Sequence, residues 1–222
     1  MALNRMNKSC AEGSGITETC HSSPRLALIL AAERLTARYG PSGFTVRMLN
    51  AEAGTRNTSA LHYHFGSRDK LLRAVWQHRM TTINPRRLAL LAQINAKDIK
   101  AVVEAIIWPL CEQLRPRPEG NHYLRFLERL NRDANFDVYG PDHEWAEGWI
   151  RAYALLRERL SGFPPEVVEM KVTFADTMIA SILAEIESRL ERGQIIADQI
   201  PKMAARLRDA VVAAVTVPTV GD

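Results

Sequence analysis

The chain has 222 residues, of which 46% are hydrophobic and 24% are charged. This composition is ordinary for a globular protein that can bury a core without disulfides or metals. No apolar run approaches the roughly 20 residues that span a bilayer, and residues 1–20 lack the apolar core of a signal peptide. Cys10, Cys20 and Cys111 form no CxxC pair, which argues against a disulfide framework or a zinc site. We therefore expect a cytoplasmic protein without a membrane partner, a metal or another cofactor.

The charge is distributed unevenly, although the formal net charge is only +4. Residues 1–83 carry 11 Lys and Arg against 5 Asp and Glu, whereas residues 84–222 carry 18 against 20. A basic first third suggests contact with a polyanion. Uneven scatter of solvated charge explains the numbers equally well, so the motifs must decide between the two interpretations.

The order of predicted elements indicates an all-α fold. Residues 1–23 are polar and without a period, which predicts a flexible arm. Beyond them no segment shows sustained strand-like alternation, and apolar residues recur at helical spacing. Pro109 is expected to kink its helix. The predicted helices cover residues 24–39, 45–53, 58–65, 68–82, 85–95, 97–114, 121–134, 143–160, 164–191 and 199–216.

The second and third helices are short, are joined by a turn at Gly54, and follow a longer packing helix. This arrangement is typical of a helix-turn-helix DNA-binding unit. We predict such a domain over residues 24–70, a connecting helix over 68–82, and a helical effector-binding and dimerisation domain over 71–222. Ala60, Leu61 and Phe65 are expected to face the core of the small domain.

The turn and the third helix supply side chains suited to DNA. Arg56 and Asn57 are of the types that form two hydrogen bonds with guanine and adenine edges, and Thr55, Thr58 and Ser59 suit bases or phosphates. His62, Tyr63 and His64 cannot all be buried, so some are expected to contact phosphates. His62 and His64 make a poor metal site, because residues two apart on a helix diverge by about 200°.

Three segments together resemble the N-terminal domain of the TetR family of bacterial regulators. They are Leu28-Ile-Leu-Ala-Ala-Glu-Arg-Leu35, Phe44-Thr-Val-Arg-Met-Leu49 with Ala53-Gly54, and Tyr63-His-Phe-Gly-Ser-Arg-Asp-Lys-Leu-Leu72. The resemblance implies phosphate contacts by Thr45, Arg47 and Lys70, and base contacts by residues 56–59. The stretch from Ala53 to Phe65 is one residue longer than the commonest family form, as in a minority branch with an RNxSA signature.

The last two predicted helices carry apolar stripes that can pack at a shallow crossing angle. One alternative is a helix pair inside the chain, and the other is a four-helix bundle between two copies. The family resemblance favours the bundle, and a two-fold operator requires two DNA-binding units roughly 34–36 Å apart. The predicted interface residues are Val168, Val172, Ala175, Ile179, Ile182, Ile186, Leu207 and Val211.

Large side chains in the C-terminal domain form either plain core or the wall of an apolar effector pocket. The family resemblance implies a pocket, and we predict that Trp108, next to Pro109, forms one wall. The predicted lining residues are Trp108, Cys111, Tyr123, Phe126, Trp145, Trp149, Phe174 and Met178.

These features predict a homodimeric, sequence-specific transcription regulator rather than an enzyme. The family resemblance implies repression more often than activation, with release from a palindromic operator by a small, mostly apolar effector. The alternatives are an enzyme on a helical scaffold and a sequence-independent DNA-binding or scaffolding protein. Groups such as Cys111 and His122 have no triad or metal-ligand spacing, and Arg56 with Asn57 argues against sequence-independent binding.

Overall fold

The computed structural model describes residues 23–115, 120–133 and 143–218, with the side chains of 143 and 144 left out. The predicted arm over residues 1–23 therefore lies almost entirely outside the described residues. Within these ranges the chain forms α-helices, short 3-10 turns and no strand, which confirms the predicted all-α fold. The α-helices are α1 Pro24–Tyr39, α2 Val46–Glu52, α3 Ala60–Phe65, α4 Arg68–Leu91, α5 Ile99–Cys111, α6 Tyr123–Asn131, α7 Glu147–Arg159, α8 Pro165–Glu191 and α9 Ile200–Thr216.

The helix ends follow the expected capping chemistry. The hydroxyl of Ser23 accepts a hydrogen bond from the Leu26 N–H, and Pro24 occupies the first position of α1. Thr45 caps α2 and Ser67 caps α4 in the same way. Such caps satisfy backbone donors that have no partner inside the helix.

The fourth helix is longer than predicted. The sequence predicts separate helices over 68–82 and 85–95, but α4 continues through Pro85 to Leu91. A helix of 24 residues is about 36 Å long, so α4 extends from the small N-terminal domain deep into the C-terminal one. Its buried face includes Trp76, Met80 and Ile83. These residues belong to the hydrophobic core that runs through both domains.

The N-terminal domain packs against the C-terminal domain through α1 and α6, and α6 packs in turn on α8. In the C-terminal domain α5 packs on α9, and α8 packs on α9. Among the described residues, none of the helices combines the length and hydropathy of a membrane span.

Candidate functional site

The turn between α2 and α3 is held by its own side chains. Gly54 adopts φ +67, a left-handed conformation that suits glycine. Thr55 Oγ1 accepts a hydrogen bond from the Asn57 N–H at 3.2 Å, and Asn57 Oδ1 accepts one from the Ser59 N–H at 2.9 Å. These local bonds compete with helix formation, so α3 begins at Ala60 rather than at the predicted residue 58. Residues 56–59 therefore lie in the turn and not on the helix.

The side chains predicted to contact DNA are accessible on this unit. Thr55 and His64 are half-buried, and the others are exposed: Thr45, Arg47, Arg56, Asn57, Thr58, Ser59, His62, Tyr63 and Lys70. Tyr63 is 81% exposed and stands edge-on to the His64 ring. Behind them Ala60, Leu61 and Phe65 are buried, as predicted. The two short helices, their turn and the start of α4 thus present polar and basic groups to solvent.

The neighbouring Arg68 has a structural role that the sequence analysis did not assign. Its guanidinium donates to the carbonyl oxygen of Phe44 at 2.6 Å and lies over the Phe44 ring at 4.6 Å. It also donates to the Pro41 carbonyl at 3.4 Å. Arg68 thereby ties the start of α4 to the loop before α2, which positions Thr45 and Arg47. A lone arginine in a charged segment gives no signal for such a contact.

A buried ion pair connects the two domains. Arg79 of α4 donates two hydrogen bonds of 2.7 Å to the carboxylate of Glu33 in α1, and both side chains are 2% exposed. Glu33 Oε1 also accepts a bond from the backbone N–H of His122 at 3.3 Å, at the residue that precedes α6. One carboxylate therefore contacts α1, α4 and the start of α6.

An internal cavity lies between α4, α5, α6, α7 and α8. We call it the central cavity, and it measures about 30 Å³. Its polar members are Arg87, Asn131, Tyr153 and Asp176, and its other lining residues are Trp76, Met80, Ile106, Leu110, Leu127, Trp149, Ile179 and Ala180. The Tyr153 hydroxyl donates to Asp176 at 2.6 Å, and burial raises the pKa of Asp176. The cavity thus combines aromatic and aliphatic walls with a few polar groups.

The structure does not bring the predicted pocket residues together. Only Trp149 of the predicted set lines the central cavity. Trp108 and Cys111 line a separate cleft beside Pro201 in α9, while Tyr123 and Phe126 stack on each other within the core. Trp145 and Phe174 are exposed, and Met178 is half-buried. Aromatic clustering along the sequence therefore did not identify the cavity, because several of these rings fill core or face solvent.

Most of the predicted dimer residues face the interior of the single chain. Seven of them are buried within the single chain, where α8 and α9 pack on the other helices: Val168, Val172, Ala175, Ile179, Ile186, Leu207 and Val211. Only Ile182, 44% exposed, can meet a partner without rearrangement. It lies on a different row of α8, which we call the outer α8 row and which consists of Met170, Phe174, Met178 and Ile182. These residues are spaced by four and share one helix face.

The described residues offer little support for a nucleophile or a metal site. Burial raises the pKa of the Cys111 thiol to about 12, so the thiol stays protonated and is a poor nucleophile. Among the described residues, nowhere do three or more metal-ligating side chains come together.

Comparison with known proteins agrees with this geometry. Residues 28–75 match the family model of bacterial regulatory proteins, tetR family. The comparison with curated protein sequences finds no match.

Solved structures share the fold over most of the chain. A structure described as a tetR family transcription regulator from Shewanella sp. PV-4 is 17% identical with a TM-score of 0.59, over 87% of this chain and 96% of its own. FadR from Bacillus subtilis, in complex with stearoyl-CoA, is 13% identical with a TM-score of 0.56, over 85% and 98% of the two chains. FadR from Bacillus halodurans is 12% identical with a TM-score of 0.58, over 89% and 98%.

Proteins of this family are DNA-binding transcription factors rather than enzymes. Residues 28–75 thus carry the N-terminal domain of the tetR family of bacterial regulatory proteins, and the described residues share the overall fold of solved structures from that family.

Proposed function

We propose that the protein is a sequence-specific repressor that binds a palindromic operator as a homodimer and is released by a small, mostly apolar effector. The observation that carries this proposal is the exposed polar surface of the helix-turn-helix unit, held in place by α4. Arg56 there can donate two hydrogen bonds to a guanine edge. Thr45, Arg47 and Lys70 are also exposed on this unit and suit phosphates, and phosphate contacts orient a protein on the duplex.

The operator can be located by footprinting the purified protein on the DNA that flanks its own gene. A specific repressor protects a palindrome whose half-sites lie about one helical turn apart, and an excess of unrelated DNA does not remove the footprint. Protection that unrelated DNA abolishes would instead indicate sequence-independent binding.

The central cavity is the proposed effector site. Its volume of about 30 Å³ admits a water molecule, whereas small-molecule sites measure roughly 300–1,000 Å³. A ligand can enter only if the surrounding helices separate. Since Trp76, Met80 and Arg87 of α4 line the cavity, its expansion moves the helix that carries the DNA-binding domain. The ability of Bacillus subtilis FadR to bind stearoyl-CoA supports a ligand-responsive role for this fold.

In this mechanism the ligand shifts the population towards a form whose two DNA-binding units no longer match the operator spacing. The affinity for DNA can fall by no more than the factor by which the ligand binds that form more tightly than the DNA-binding form. Trp76 and Trp149 line the cavity, so quenching of tryptophan fluorescence can identify ligands in a screen. An operator affinity that stays constant at saturation with such a ligand would contradict the mechanism.

The outer α8 row is the proposed dimer surface. Met170, Phe174 and Ile182 are 41%, 53% and 44% exposed, and a contiguous exposed apolar row of this kind marks an interaction site. Two copies of α8 packed along these rows would bury them, and α9 lies alongside α8 to complete the bundle.

A further inference from the structure

A second cavity, far larger than the central one, lies where α5 ends, α6 begins and α8 gives way to α9. We call it the α6–α8 cleft, and it measures about 470 Å³. This volume lies within the range of small-molecule sites, roughly 300–1,000 Å³. The central cavity, at about 30 Å³, lies well below that range.

The walls of the α6–α8 cleft are aliphatic. Leu114 follows α5, Leu190 lies at the end of α8, and Ile195 and Ile196 belong to the connection between α8 and α9. Ile196 is 63% exposed, although burying an isoleucine side chain is favourable in free energy. A ligand with an aliphatic chain would cover this exposed surface.

The acidic groups that line the cleft already have partners. The carboxylate of Glu187 is 3% exposed and accepts bonds from the backbone N–H groups of Leu124 at 3.1 Å and Arg125 at 3.0 Å. The Arg125 guanidinium contacts Glu187 at 3.1 Å and Glu191 at 2.6 Å. Arg125 is therefore shared by the two carboxylates, and burial raises the pKa of Glu187 to about 7, which reduces the negative charge at this end of the cleft.

Hydrogen-bond donors, in contrast, remain available. Within the part of the chain that the structure describes, Arg115 has no ion pair, and the buried amide of Asn121 has no hydrogen-bond partner on either atom. The His122 Nδ1 lies 2.7 Å from a guanidinium nitrogen of Arg125. Since a guanidinium only donates, Nδ1 accepts and the proton of the neutral ring is on Nε2. Burial and the charge of Arg125 lower the pKa of His122, in agreement with a neutral ring.

We propose that the α6–α8 cleft binds aliphatic monocarboxylates, with the carboxylate accepting hydrogen bonds from Arg115, Asn121 and His122. The chain of the ligand lies along Leu114, Leu190 and the two isoleucines. An arginine can hold a carboxylate through two parallel bonds, and a buried amide that gains a partner relieves the cost of leaving it unpaired.

The cleft also has a direct connection to the DNA-binding domain. The backbone N–H of His122 donates to Glu33 of α1 at 3.3 Å, and the ring of the same residue lines the cleft. A ligand that contacts His122 therefore meets a residue whose backbone is hydrogen-bonded to α1. This site goes beyond the proposed repressor function and does not depend on it, because binding can be measured without DNA.

Calorimetric titration of the full-length, DNA-free protein with octanoate tests the proposal. We expect saturable binding, and binding at least about tenfold weaker in Arg115→Gln, the effect expected for one lost charge-assisted hydrogen bond. Ile196→Glu should weaken binding similarly by placing a charge on the aliphatic wall. Both residues are exposed, so the fold is retained. Arg206→Gln, an equal charge change at an exposed position of α9, should bind as the wild type does.

Two results would overturn the proposal. One is octylamine binding as tightly as octanoate, which would show that the head group is not recognised as an anion. The other is unchanged octanoate binding in both Arg115→Gln and Ile196→Glu, which would place the ligand elsewhere. Absence of a specific operator would refute the repressor function and leave these titrations unaffected.

Discussion

The side-chain amide of Asn57 has two competing uses. The sequence predicts that it contacts an adenine edge, which requires the amide oxygen and nitrogen together. In the structure the oxygen already accepts a bond from the Ser59 N–H at 2.9 Å, which holds the amide within the turn. Residue type and spacing predicted that this segment is exposed, but they could not show that Asn57 shapes the turn that carries Arg56.

Substituting Asn57 and Arg56 one at a time distinguishes a role in shaping the turn from a role in contacting a base. We expect Asn57→Ala to lower affinity for the operator and for scrambled DNA by the same factor, because the turn loses order. Arg56→Ala should cost roughly 1–3 kcal/mol on the operator only, the range for a specific base contact. Fluorescence anisotropy on both duplexes measures the two effects. A loss confined to the operator in Asn57→Ala would show that this residue contacts a base after all.

His122 makes the stability of the domain junction dependent on pH. Its pKa is lowered by burial and by Arg125 and Arg34, while Glu191 and Glu33 oppose the shift. The unfolded chain therefore binds the proton more readily than the folded one. The stabilising contribution is present above the ordinary histidine range and is lost as pH falls through it.

Between about pH 7 and about pH 5, we expect the free energy of unfolding in urea to fall in the wild type relative to His122→Gln. Glu187, whose pKa burial raises to about 7, contributes with the opposite sign in both proteins. Glutamine keeps an acceptor for Arg125 but does not titrate. Because the other titratable groups are common to both proteins, the difference between the two curves reports on His122. Parallel curves would show that the ring is protonated in the folded state as easily as in the unfolded one.

At the level of elements, three of the long helices were predicted well, whereas the long α4 and the short α3 were not. The first, eighth and ninth helices begin and end within a residue of their predicted limits, because apolar periodicity and proline or glycine boundaries agree there. The prediction failed at Pro85, where α4 continues through a residue that usually interrupts helices. It also failed at the start of α3, where side-chain bonds in the turn replace the first helical residues.

The Glu33–Arg79 pair is expected to be the strongest polar connection between α1 and α4. Arg79→Met leaves a buried carboxylate without its partner, a change that costs about 3–5 kcal/mol in comparable pairs. Replacing both residues with methionine should recover most of this loss, because no buried charge remains. The free energy of unfolding in urea measures each variant.

The more exposed pair between Arg34 of α1 and Glu52 of α2 provides a matched control. Its side chains are 24% and 34% exposed, so Arg34→Met should cost no more than about 1 kcal/mol. If Arg79→Met costs as little as Arg34→Met, the buried pair does not hold α1 against α4.

For the whole molecule, the sequence predicted an interface on α8, and the structure buries most of the predicted interface residues within the single chain. The apolar residues of α8 lie on more than one side of the helix, and a single sequence does not state which side meets a neighbour in the same chain. The buried rows pack against α6, α7 and α9. The row of Met170, Phe174 and Ile182 is left at the surface, where only tertiary structure could reveal it.

This arrangement predicts which substitution separates the proposed dimer. Phe174, 53% exposed in the single chain, should be buried at the centre of the interface, where one aromatic residue can contribute about 2 kcal/mol or more. Phe174→Glu should therefore raise the dimer dissociation constant by at least about thirtyfold, as sedimentation velocity over a concentration series would show. Ile196→Glu is the control, because this residue is also exposed and apolar but lies outside the outer α8 row. If both variants sediment as the wild-type dimer does, the two subunits meet through another surface, and the spacing of their DNA-binding units must be set without α8.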